Sequence, residues 1–242
     1  MSLRGMGAVC IWHDLRPEAK DEFYQWHNRE HMPERVGIPG FRRGRRYVAI
    51  AGTPEYFNLY EADSPEVLGG QDYLNRLNAP TEWTRRVVPS FRNVSRSICR
   101  VVYTHGVGQG AFILTQRFDV GERDRPHVVK ALRERLLPPL CDNKGIAGVH
   151  LCLADERCSE LGRIGPVVEG DADGQAHRGR KGGWRYRGLP WRQANGKTIA
   201  VIPDATLKQF AVPALNLPEG NGVEELVRDH DHRKVCRNRI EP

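Results

Sequence analysis

The order in which strand-like and helix-like patterns alternate between Gly7 and Tyr103 is the strongest constraint this sequence places on its fold. Residues 7–12 (Gly-Ala-Val-Cys-Ile-Trp) read as a strand. A helix follows over 17–31, opened by Pro17 in its first turn, where no backbone donor is needed. Residues 41–50 alternate as a strand does, with Phe41, Arg43, Arg45, Tyr47 and Ala49 on one face and Arg42, Gly44, Arg46, Val48 and Ile50 on the other. Ala51-Gly52-Thr53-Pro54 is turn chemistry, and 56–61 is the next strand, so the two form a hairpin. A helix is predicted from Pro65 to Leu77 with Ser64 as its cap, and Phe91 to Tyr103 is a long strand beyond the Thr81–Val88 segment. Strand, helix, strand, strand, helix, strand is the split βαβ, ferredoxin-like unit of the α+β class: an antiparallel sheet with both helices on one face. The other face of that sheet is left to be buried.

Residues 110–154 repeat this opening in outline. Gly110-Ala111-Phe112-Ile113-Leu114 echoes Gly7-Ala8-Val9-Cys10-Ile11, and a helix from Pro126 to Leu137 ends at Pro138-Pro139 as the first meets Pro33. Aligning Pro33 with Pro138 sets Leu132 where the first copy has His27 and Leu136 where it has His31. The expected organisation is a tandem pair, with residues 1–105 as the first unit and 106–242 as a degenerate second. Gly106 to Gly110 links them; three glycines there precede a strand rather than open a helix, so they are not a dinucleotide fingerprint. Past residue 160 the pattern fails. Gly165 to Gly183 reads as a long loop, a strand is expected near Lys197–Ile202 and a helix near Asp204–Phe210, and Glu224 to Pro242 is a charged end. No segment stands out as the last strand of the second unit.

At 242 residues the chain is long enough for two small units, each with its own core. No apolar run approaches the ~20 residues of a membrane helix, and the first residues lack the apolar length of a signal peptide, so a cytoplasmic protein is expected. The six cysteines form no CxxC pair and read as free thiols. The formal charge of +7 invites a nucleic-acid reading, but its excess sits in Arg42, Arg43, Arg45 and Arg46 and between Arg178 and Lys197, without a nucleic-acid motif. No specific nucleic-acid partner and no membrane is expected.

The usable chemistry is densest from Phe23 to Arg35. Phe23, Trp26, His27, Glu30, His31 and Glu34 share one side of a helix, apolar members first, and the helix is predicted to stop near His31 because Pro33 follows. His27-Asn28-Arg29-Glu30-His31 spells H-x-x-E-H, an inverted zinc-peptidase signature, but without the continuing helix or a third acidic ligand that zinc would need. No metal and no cofactor is assigned. His31, at a helix end and with a near-neutral intrinsic pKa, suits proton transfer; the competing role is to interact with the helix C-terminus. Glu30, Glu34 and Arg29 read as surface pairs, whereas Arg35 just past the helix could face an anion. Arg43, Arg45 and Tyr47 on one strand, and Tyr56, Asn58 and Tyr60 on the next, offer polar-aromatic faces for a ligand or for packing. Trp83 is a core anchor or a lid over the cleft.

Trp26-His27-Asn28 with Glu30-His31-Met32-Pro33-Glu34-Arg35 and Ile38-Pro39-Gly40-Phe41 resembles the dimeric α/β-barrel superfamily, especially its EthD-like and related uncharacterised branches. Tyr73-Leu74-Asn75 and Pro80-Thr81-Glu82-Trp83-Thr84 are similar to one such branch. The resemblance implies two ferredoxin-like sheets packed face to face as a barrel, between chains or between tandem repeats of one chain, hence a homodimer or an internal pseudo-dimer. It implies a small organic ligand, often aromatic, bound between sheet and helices. Activities in the superfamily include cofactor-free monooxygenases, isomerases and cyclases, and some members bind haem. On this reading His31 and His27 are the catalytic candidates, and Trp26, Arg35, Arg45, Tyr47, Tyr60 and Trp83 contact the ligand. The rival reading is a non-catalytic assembly module of the same fold.

Overall fold

The computed structural model describes residues 3–143, 146–155 and 158, together with the backbone of 168–170, 176–178, 184–185, 192–193, 198–205 and 232–238. Four strands of the first half, β1 (Gly7–Leu15), β2 (Phe41–Ala51), β3 (Tyr56–Ala62) and β4 (Phe91–Gly106), pair antiparallel in the ferredoxin-like order β4-β1-β3-β2. β5 (Phe112–Asp119) and β6 (Ile146–Ala154) begin a second set. β7 (Val168–Gly170), β8 (Ala176–Arg178) and β9 (Trp184–Arg185) form a small separate sheet inside and just beyond the stretch read as a loop, and β10 (Arg192–Gln193) pairs parallel with β4. β11 (Thr198–Ala205) and β12 (His232–Asn238) then complete the order β12-β5-β11-β6, the same arrangement as in the first half.

Two further ladders, β2 with β12 and β4 with β6, join the sheets at both edges, so eight antiparallel strands close into a ring within one chain. The second half therefore does have a last strand. Its residues, His-Arg-Lys-Val-Cys-Arg-Asn, are nearly all polar, which hid it in a charged terminal segment. Asp204 and Ala205 extend β11 rather than start a helix; residues 206–210 lie outside the described residues.

An eight-stranded ring has an interior just wide enough for side chains to fill. Ala8, Cys10 and Trp12 of β1 meet Tyr47, Phe57, Leu59, Cys99, Val101, Ile113 and Cys152 there. On the opposite face of the first sheet Val9, Phe41, Tyr60, Ala62 and Ile98 pack with Ile38, Leu68 and Tyr73, and Leu15 and Tyr56 pack with the helical Phe23 and Trp26. Full burial of each large apolar side chain is worth roughly 1.5–3 kcal/mol, so both layers hold the sheet. In the second half Val128, Leu132 and Leu137 cover Val149 and Leu151 in the same way. No helix among the described residues is long and apolar enough to cross a membrane.

The first helix does not stop at His31. After α1 (Lys20–Trp26) the residues His27–His31 form a π-helical turn, in which the Met32 N–H reaches the His27 carbonyl five residues back, and α2 (Met32–Val36) continues to Gly37. Pro33 thereby falls in the first turn of a new helical register, where its missing N–H leaves no hole. The second half repeats the device. α5 (Arg125–Ala131) leads into a π turn at Leu132–Leu136, where Leu137 N–H donates to the Leu132 carbonyl at 2.9 Å, and Pro138 opens α6 (Pro138–Cys141). The two π turns occupy the positions that aligning Pro33 with Pro138 makes equivalent. Between them lie α3 (Gln71–Asn78) and α4 (Glu82–Val87).

Ser64 occupies a cap position but makes no capping bond; a 3-10 turn at Pro65–Gly69 precedes α3, and Gly70 separates them. The side chain that does cap is Thr81, accepting from the Thr84 N–H at 3.0 Å to start α4. The Ile-Pro-Gly-Phe turn depends on Gly40, whose φ of +86° favours glycine and where a Cβ would lie 2.8 Å from Val67 Cγ2.

Candidate functional site

Strand alternation sends the polar residues of the first half to two different places. Arg43, Arg45, Tyr47 and Glu61 point into the barrel. Arg46, Asn58 and Tyr60 point to the helices, as does His13. The residues singled out from sequence are divided by this: Arg45 and Tyr47 lie on one side of the sheet, and Tyr60, His27, His31, Trp26, Arg35 and Trp83 on the other.

Inside the barrel the charges pair with one another. Glu61, 1% exposed, accepts from Arg43 through Nε and Nη2 at 2.8 Å each, from Arg45 Nη2 at 3.1 Å and from the Arg4 backbone N–H at 2.7 Å. Arg45 also stands over the Tyr47 ring, 5.6 Å from its centroid. Deep in the same interior His150 has Nδ1 2.8 Å from the Thr104 hydroxyl. Burial, reinforced by Arg45 and Arg43, pushes its pKa down to about 3, so the ring is neutral. Farther along, Arg117 lies 4.1 Å over the Trp12 ring and donates to Ser95 Oγ, while the Trp12 indole donates to Thr115.

Between the sheet and the helices the groups are arranged otherwise. His27, buried on the π turn, is held from both sides: Arg46 Nη1 lies 3.0 Å from its Nδ1, and the Tyr60 hydroxyl 3.2 Å from its Nε2. Arg46 also donates to Asn28 Oδ1 at 2.9 Å and stacks over Tyr24. Burial first, then the charge on Arg46, keeps the His27 pKa well below the ordinary value. His13 is stacked on Tyr56 and lies 2.9 Å from the Asn58 amide.

His31 is different. Its ring stacks on Trp26 with centroids 4.3 Å apart, and it lies 5.6 Å from the His27 ring and 6.3 Å from that of Tyr60. Its Nδ1 is sealed from solvent and has no hydrogen-bond partner among the described residues. Burial, followed by the charge on Arg35, lowers its pKa well below the ordinary range, so the imidazole is neutral. Arg35 is buried, stands 5.6 Å over the Tyr73 ring and forms a 3.8 Å ion pair with Glu34; among the described residues its Nη1 has no hydrogen bond. Tyr73 accepts from Arg96 at 2.8 Å. Burial alone would raise its pKa, but Arg96 and Arg35 together outweigh that and lower it.

The remaining members of H-x-x-E-H serve packing. Glu30 accepts from the Trp26 indole at 3.2 Å and from the Thr81 hydroxyl at 2.5 Å, tying the π turn to α4. The Trp26 indole also reaches Thr84 Oγ1 at 3.1 Å, and Trp83 packs in the same aromatic cluster. Because Arg46 and Tyr60 occupy both nitrogens of His27, its ring is not presented to a metal. Sequence reasoning passed over His13, Arg46 and Tyr73. For the first two the signal was strand alternation, which puts His13 on the face of Val9 and Ile11, and Arg46 on the face of Gly44 and Val48.

No family model matches this chain, and no curated protein matches it. Solved structures do. An anthrone oxidase-like protein, 11% identical, aligns over 97% of this chain and 91% of its own with a TM-score of 0.57. A candidate monooxygenase from Lactobacillus acidophilus NCFM, 8% identical, covers 97% of this chain and 93% of its own at a TM-score of 0.52. Another from Fusobacterium nucleatum subsp. nucleatum, 9% identical, covers 98% and 94% at 0.51. At such identities the likeness is one of fold, and it extends over nearly the whole chain. The protein has a ferredoxin-like α+β fold, with both antiparallel sheets supplied by one chain.

Proposed function

We propose that this protein binds a small organic molecule between the first sheet and its helices, and that His31 handles a proton there. The observation that carries the reading is His31 itself: a neutral ring stacked on Trp26, with a buried Nδ1 that no described residue engages. Buried polar groups are almost always hydrogen-bonded, so such an atom points to a ligand or water. Trp26, Trp83, Tyr60 and Arg35 are the ligand-side neighbours; Arg45 and Tyr47, paired inside the barrel, serve packing instead. The reaction class is cofactor-free oxygenation, isomerisation or cyclisation. The names of the monooxygenase-type neighbours support the first, and the Trp26–Phe41 motif supports an EthD-like branch. The matching strand orders and π turns support descent of the two halves from one duplicated unit.

A non-catalytic assembly role is the second reading, favoured for the barrel interior by the mutual pairing of Arg43, Arg45 and Glu61. Anthrone, an enolisable tricyclic ketone, separates the two. Tryptophan fluorescence should report saturable binding, with dioxygen uptake as the activity readout. Loss of either in His31→Ala at an unchanged melting temperature supports the proposal, and a variant that binds and reacts like the parent rejects it.

A further inference from the structure

Tyr60 is 3% exposed, and among the described residues its hydroxyl has a single hydrogen-bond partner, His27 Nε2. The direction of that bond follows from what lies behind it. A guanidinium can only donate, so Arg46 makes Nδ1 of His27 the acceptor. A neutral imidazole with a bare Nδ1 carries its proton on Nε2, and that proton is donated to the Tyr60 oxygen. The phenolic hydrogen is thus left without an acceptor in a buried place. The fold does not require this relay: the second half builds the same π turn with Leu132 and Leu136 at the matching positions.

We propose that Tyr60 grips an oxygen of the ligand, a carbonyl or the enol derived from it, and that Arg46 and His27 are positioning residues that hold its hydroxyl as a donor. The assignment rests on the small-molecule reading above and recasts His27, which does not itself meet the ligand. Tyr60 and Met32 come together over Gly44, and the His31 ring lies on their side of the strand. A β,γ-unsaturated ketone held there would give an α-carbon proton to the unpartnered Nδ1 of His31. The C–H pair becomes the new C=C bond and the carbonyl pair moves onto oxygen, where the Tyr60 hydrogen bond stabilises the charge. Return of the proton to the γ-carbon of the dienolate moves the double bond into conjugation, which completes an isomerisation and needs no further reactant. The raised pKa of Tyr60, caused chiefly by burial, keeps the hydroxyl protonated for this role.

The test uses 2-naphthol as the probe of an enol oxygen. Tyr60→Phe should weaken its binding about tenfold, the size of one hydrogen bond in a dry site. Arg46→Met should weaken it similarly, and the double variant should be no weaker than Tyr60→Phe, because both changes remove the same donor. Independently, nitrogen NMR of the wild-type protein should find His27 protonated on Nε2 and bare on Nδ1. If 2-naphthol does not bind the wild type, the small-molecule reading fails and this assignment with it. If it binds Tyr60→Phe equally well, the role of Tyr60 is overturned while the site stands. A proton on Nδ1 of His27 overturns the relay whatever the variants do, including one that fails to fold.

Discussion

Arg43 and Glu61 face each other across the β2–β3 ladder and share two hydrogen bonds of 2.8 Å inside the barrel. Arg45 joins the same carboxylate, so one buried acid answers a buried arginine and a partly buried one. Removing one partner of such a group leaves charge without compensation. Glu61→Ala is expected to lose about 3–5 kcal/mol of unfolding free energy in urea titration. Arg42→Ala, which breaks an equally direct but solvent-exposed pair with Asp63, is expected to change little, and similar losses in the two variants would contradict the buried network.

Gly44 lies where the helix comes down on the sheet. A Cβ there would run into Met32 Sδ and come within 3.2 Å of the Tyr60 ring. Gly44→Ala should therefore cost about 1–3 kcal/mol and lower the melting temperature, since a packed layer resists added volume. Gly108→Ala, whose Cβ would meet nothing within 4 Å, is the control and should be near neutral.

Acid should weaken the fold through its buried histidines. His27 and His31 have pKa values lowered chiefly by burial, and that of His150 falls to about 3. Unfolded histidine titrates near ~6.5, so below that pH the unfolded chain binds protons that the folded one refuses. Their contribution is intact above about pH 6.5 and declines as pH falls, by about 1.4 kcal/mol per pH unit for each histidine. Urea titrations between pH 7.5 and 5 should show a shallower decline for His150→Gln than for the parent; equal slopes would mean that His150 takes up its proton as readily in the fold as in the unfolded chain.

Much of the first half was legible because local chemistry and tertiary role agree there. The alternation of 43–50 assigns Arg43 and Arg45 to one face and Arg46 to the other, and the structure keeps that division; Phe41, expected on the face of Arg43, is turned to the helices by a bulge between the two. What escaped depended on partners distant in sequence. Pro33 signals a helix end, yet the π turn resets the register so that it becomes a helix start. β12 has no apolar stripe of its own and is a strand because β2 and β5 flank it. At the site, His31 and Trp26 stood out through helical spacing. The relay through Arg46 and His27 to Tyr60 joins a strand, a π turn and a second strand, and no spacing in the chain announces it.

On the proposed reading the ligand enters between the first sheet and its helices and leaves the barrel interior untouched. Indole N–H resonances test it directly, because Trp26 lies on the helix side and Trp12 inside the barrel, donating to Thr115. Titration with anthrone should shift the Trp26 signal and the His31 ring signals while that of Trp12 stays in place. A shift of Trp12 with Trp26 and His31 unmoved would place the ligand inside the barrel instead.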